Sequence, residues 1–111
     1  MAQVHAKSGD LVWIHECDIG DDGASLSQVL IRDSHIEIFR LTLQAGTRMQ
    51  EHCAAGSMCV QCISGEVHFQ CYGDVHVLTP GALIYLRDAE PHALACERHA
   101  VLLVTLFLRR N

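Results

Sequence analysis

The chain has 111 residues and six cysteines; half of its residues are hydrophobic, 19% are charged, and the formal net charge is -5. That length accommodates one core and a single domain, 1–111, and the eight lysines and arginines are too scattered to form the basic stripe that nucleic acid requires. No basic-then-apolar leader opens the sequence and the longest apolar run, 100–108, is too short to cross a bilayer as a helix, so the expectation is a cytoplasmic protein with no membrane contact and reduced thiols.

Taken in chain order, short runs rich in Val, Ile, Leu and Phe, separated by Gly, Pro and Asp, predict strands and almost no helix. The first is 11–16 (LVWIHE). The polar, glycine-bearing DIGDDGAS at 18–25 predicts a surface loop. Strands follow at 27–32, 35–44 and 48–53. Residues 57–63 and 66–71 predict two more, joined by a tight turn at Ser64-Gly65, where glycine supplies a positive φ. Tyr72-Gly73-Asp74 turns the chain again into 75–79, so 57–79 reads as a three-strand meander. Strands at 82–86, 92–97 and 100–108 complete the set. Within 92–97, His92, Leu94 and Cys96 share one face, while 100–108 is apolar enough to be covered on both sides. Ten short strands with two sides to bury predict an all-β sandwich or small barrel.

The chemistry-bearing residues concentrate in 51–65, EHCAAGSMCVQCISG. Cys59 and Cys62 spell C-x-x-C, but a redox pair uses a helix N-terminus to lower the thiolate pKa, and in a strand this odd offset points the two side chains to opposite faces. Gly-rich phosphate loops, the G-x-S-x-G elbow and paired carboxylates for glycosidic cleavage are all missing from the sequence.

The stretch AGTRMQEHCAAGSMCVQCISGE, followed by LTPGALIYLRDAEPHAL, resembles the two motifs of the cupin family. The resemblance covers about 36–106, with 1–35 as an N-terminal strand and loop. It implies a double-stranded jelly-roll β-barrel of the RmlC-like kind. Gly46, His52 and Gly65 match the first motif, and Pro80, Gly81 and His92 the second. Ala54 stands where the family has a second histidine, and Met58 where it has a glutamate, so the implied metal ligands reduce to His52 and His92. The resemblance also implies a homodimer to which N-terminal strands contribute, a state that the apolar composition favours independently. Leu11, Val12, Trp13 and Ile14 are candidates for the covered surface.

A catalytic divalent ion generally takes three protein ligands and keeps an open position, which two histidines alone do not supply. Gln50 is expected on the face of His52, and Met58 and Cys62 on one face of 57–63. With Cys96 they are the candidates to complete a soft site, with zinc, nickel, iron or copper left open. Gln61 would join only through a bulge. The competing role for Met58, Cys62 and Cys96 is core packing, and for the histidines a hydrogen-bonded core pair. A Cys-His nucleophile built from Cys62 or Cys96 is a further alternative. Met58, Val60, Phe69 and Leu94 would line an apolar pocket. The expected function is therefore a barrel that binds a small molecule, with or without a divalent metal. The alternatives are a metal-dependent cupin enzyme of the dioxygenase or isomerase type, and a sensor module acting through a partner.

Overall fold

The computed structural model describes residues 5–14 and 26–108. Residues 15 and 16 of the first expected strand, Cys17 and the loop expected at 18–25 lie outside the described residues. Among the described residues there are seven strands: β1 (Leu26–Arg32), β2 (Ile36–Leu43), β3 (Arg48–His52), β4 (Ser57–Cys71), β5 (Asp74–Leu78), β6 (Leu83–Leu86) and β7 (His92–Phe107). All pairings are antiparallel, and no helix occurs among the described residues.

Two long strands organise the barrel. β4 and β7 pair with one another from Ser57↔Phe107 to Cys71↔His92. The second half of β7 also pairs β2, which carries β1, and the first half of β4 pairs β6. The other halves pair β3 and β5. One sheet is therefore β1-β2-β7-β4-β6, the other is β3-β7-β4-β5, and both contain the same two central strands. This is the jelly-roll arrangement, in which strands change sheet at bends.

The bend corrects the expected turn at Ser64-Gly65. The chain does not reverse there, and 57–63 and 66–71 are two halves of β4. The expected three-strand meander is thus the pair β4 and β5, and 92–97 and 100–108 are likewise two halves of β7. Three register shifts fall between Cys62 and Val67. Gly65 has φ 83, and a Cβ on it would lie 2.1 Å from the His99 carbonyl oxygen and 2.6 Å from Ala100 Cα. Glycine is required twice, by its backbone conformation and by the closeness of the neighbouring strand. The shifts also change which residues face inward, from Met58, Val60 and Cys62 before the bend to Val67, Phe69 and Cys71 after it.

The turn at Tyr72-Gly73 holds as expected. Cys71 pairs Asp74 across a two-residue loop whose φ values, 52 and 80, are those of the tight turn that matches strand twist. The expected strand at 11–16 is not formed over its described part, 11–14. That segment instead caps Arg40, whose guanidinium donates to the carbonyl oxygens of Trp13 (2.9 Å) and Ile14 (3.1 Å) and to Gln28 Oε1.

The inward residues of both sheets form one core that includes Leu43, Val60, Phe69, Leu86 and Leu102, all essentially without solvent contact. Burying each contributes about 1.5–3 kcal/mol before conformational entropy is charged against it. Among the described residues no helix is long and apolar enough to cross a membrane.

Candidate functional site: a cross-strand histidine pair

His52 ends β3 and His92 begins β7, and the two are register partners. They meet because of a bulge. Met49 pairs Leu94, so an uninterrupted ladder would set residue 51, not 52, opposite His92; the register shift between Met49 and His52 inserts the extra residue. His52 is thereby turned to the face that carries His92 and Leu94. Their ring centroids lie 4.3 Å apart with the planes tilted by 59°. Phe69, inward on β4, stacks on His92 at 5.6 Å and 8°. His92 is buried and His52 exposed, so the pair lies at the edge of the core and opens to solvent.

Both rings are held in the same way. Nδ1 of His52 is 3.0 Å from the Gln50 carbonyl oxygen, and Nδ1 of His92 is 3.0 Å from that of Glu90. A carbonyl oxygen only accepts, so each neutral ring carries its proton on Nδ1 and leaves Nε2 as a lone pair. Neither Nε2 meets a protein partner among the described residues. No buried side-chain nitrogen or oxygen among them lacks a hydrogen bond, so Nε2 of buried His92 reaches accessible space. Burial holds His92 below the ordinary imidazole pKa; the bond to the Glu90 carbonyl opposes this, the proximity of His52 adds to it, and the Glu90 carboxylate opposes it weakly. His92 Nε2 is therefore an acceptor lone pair near neutral pH.

The other candidates do not join the pair. The bulge that re-aims His52 leaves Gln50 on the outward face, where it lines a cleft of about 450 Å³ with Arg48, His68 and Gln70, contrary to the shared face expected for it. Cys62 and Cys96 are buried near the bend. The Cys62 thiol donates to the Ser64 carbonyl (3.4 Å), and that of Cys96 to the Arg98 carbonyl (2.9 Å). Burial pushes both thiols up, which removes thiolate character. Met58 faces inward as expected, between register partners Leu86 and Leu106. Val60 and Phe69 are fully packed in the core and Leu94 nearly so. The cysteine that neighbours His92 is Cys71, its register partner on β4. Its thiol is also pushed up, by burial first and then by the carboxylates of Glu90 and Asp74.

The donor set does not fit the metal that the fold commonly holds. Among the described residues no three His, Cys, Asp or Glu side chains converge to hold an ion; of the soft donors with sequence support, Cys62 and Cys96 are engaged with backbone carbonyls at the bend and Met58 is packed in the core. The carbonyls that lock the two tautomers had no sequence signal, because any residue supplies one.

No family model matches the chain, and no curated protein is similar to it in sequence. Solved structures are similar in fold. An RmlC-like cupin from Desulfovibrio desulfuricans is 22% identical with TM-score 0.74, covering 93% of this chain and 97% of that one. A cupin superfamily protein from Desulfitobacterium hafniense is 17% identical with TM-score 0.74, covering 85% and 84%. The DMSP lyase DddQ from Ruegeria pomeroyi is 18% identical with TM-score 0.71, covering 87% of this chain and 54% of that one. The fold is that of an RmlC-like cupin jelly roll.

Proposed function

We propose that this cupin barrel binds a small molecule at the His52–His92 pair without a protein-held metal. The observation that carries the reading is the shared lock on the two rings, which engages each Nδ1 with a backbone carbonyl and leaves each Nε2 without a protein partner among the described residues. A lone pair accepts, so the ligand must bring donors: hydroxyls or a protonated amine, spaced to reach two rings whose centres are 4.3 Å apart. Each hydrogen bond is worth about 0.5–1.5 kcal/mol net, so the pair supplies roughly 1–3 kcal/mol.

A second reading has one observation in its favour. A neutral histidine with Nε2 free, held by a carbonyl on Nδ1, is also the arrangement of a general base, and one protein of similar fold is a lyase. In that case His92 Nε2 would take a proton from the ligand, and burial, which keeps the ring neutral, would keep it competent.

The test is native mass spectrometry with elemental analysis on protein purified without a metal-affinity tag, beside a His52→Ala/His92→Ala variant. The expected result is substoichiometric metal in both, with a small-molecule adduct retained only by the unaltered chain. Stoichiometric metal that disappears in the variant would overturn the metal-free reading and restore the metal-dependent enzyme.

A further inference from the structure

The β4–β6 ladder pairs Met58 with Leu86, and continued in the same register it would set Gly56 opposite Asp88. The chain turns away before that rung can form between backbones. Glu90 N–H donates to the Arg87 carbonyl at 3.2 Å and closes a turn over 87–90. The rung is made by a side chain instead: the N–H of buried Gly56 donates to Asp88 Oδ1 at 2.8 Å. A buried N–H left without an acceptor is costly, so the carboxylate is what lets the ladder end here.

The turn is strained at its third position. Ala89 has φ 60, a left-handed conformation that glycine enters at less cost. One residue further on, the Glu90 carbonyl oxygen lies 3.0 Å from His92 Nδ1. Pro91 follows and narrows Glu90 to extended conformations, so the direction of this carbonyl is set by where the turn delivers the residue. The lock on His92 is thus the last link of a chain in which Asp88 grips Gly56, the grip holds the turn, and the turn aims the carbonyl. His52 differs, because its lock comes from Gln50 within β3 itself.

We infer that Asp88 is a positioning residue for the histidine pair, setting the tautomer of His92 through the 87–90 turn. An alanine leaves positive φ when nothing holds it there, and the carbonyl leaves with it. For its use this rests on the ligand reading: a ring in its other tautomer presents a donor at Nε2 where the ligand's donors need a lone pair.

The experiment is nitrogen-15 NMR of histidine-labelled full chain without ligand at about pH 8, above the ordinary imidazole range, with the His92 signals identified by their loss in His92→Gln. The parent should show His92 protonated on Nδ1. In Asp88→Ala the fraction protonated on Nε2 should rise at least about fivefold, as follows when a hydrogen bond of ordinary strength no longer holds the ring, while the His52 signals stay those of the parent. Asp88→Glu, which keeps the charge and displaces the oxygen, should act in the same direction. Asp88→Asn, which keeps the oxygen acceptor, should retain the parent signals. So should Asp88→Ala/Ala89→Gly, since glycine holds the positive φ unaided. Val104→Ala removes buried methyl groups from the other half of β7 and reports general loosening, so it should leave His92 unmoved. An unchanged His92 tautomer in Asp88→Ala would overturn the inference, as would an equal shift in Val104→Ala or a glycine at 89 that restores nothing. Because the signals are read without ligand, a barrel that binds nothing would sink the ligand reading while they still decide the role of Asp88.

Discussion

Replacing Gly65 by alanine tests whether the β4 bend depends on the absence of a side chain. The backbone there has φ 83, a conformation that costs an L-residue about 1–2 kcal/mol. The added Cβ would stand 2.1 Å from the His99 carbonyl oxygen and 2.6 Å from Ala100 Cα, both backbone atoms that cannot rotate away. β4 and β7 would have to separate by roughly 1 Å, an overpacking cost of about 1–3 kcal/mol. The total, about 2–5 kcal/mol, is a large part of the 5–15 kcal/mol typical of a whole domain. At about 4 °C per kcal/mol for a chain of this size, Tm should fall by about 8–20 °C. Gly46→Ala is the control. Its φ of 92 carries the same strain, but nothing lies within 4 Å of the added carbon, so its fall should be about 4–8 °C. Thermal unfolding by circular dichroism at matched protein concentration measures both. Equal falls for the two variants would refute the close-approach argument.

The buried His92 ring makes stability depend on pH. Its folded pKa lies below the unfolded value, so between the two the unfolded chain holds more protons, and stability declines as pH drops below about 6.5. Urea unfolding at intervals from about pH 7.5 to 5 should show this decline, at no more than about 1.4 kcal/mol per pH unit from this group, and His92→Gln should flatten it. An unchanged profile in that variant would assign the effect elsewhere. Tyr72 occupies a positive φ in an exposed turn, so Tyr72→Asn should raise the unfolding free energy by about 0.5–1 kcal/mol; a loss would show that the tyrosine ring contributes more than its conformation costs.

Strand identity was legible wherever alternation was local. β2, β5 and β6 fall where Val, Ile and Leu runs place them, β3 falls within the expected 48–53, and the inward set Met58, Val60 and Cys62 follows from period two. The resemblance paired His52 with His92, and the two are register partners. The continuity of β4 was not legible, because a glycine at positive φ serves a reversing turn and a bulge equally well. The contact that decides between them comes from His99 and Ala100, more than thirty residues away. The face of Gln50 was misread for the same kind of reason, since one inserted residue before His52 reverses the alternation. Arg40 carried no signal at all. Its burial depends on carbonyls of a segment that reads as a strand from its apolar content and forms none over 11–14.

Sharing β4 and β7 between the sheets has a consequence for how the molecule comes apart. Neither sheet can open while the other stays closed, because removing either central strand dismantles both. Amide protons along the two strands should then exchange only through global opening, with the edge strands β1, β3, β5 and β6 exchanging earlier. Assembly carries the matching cost. The ladder runs from Cys71↔His92 to Ser57↔Phe107, so all its pairs are distant in sequence, and folding is expected to be slow and all-or-none rather than built from two halves.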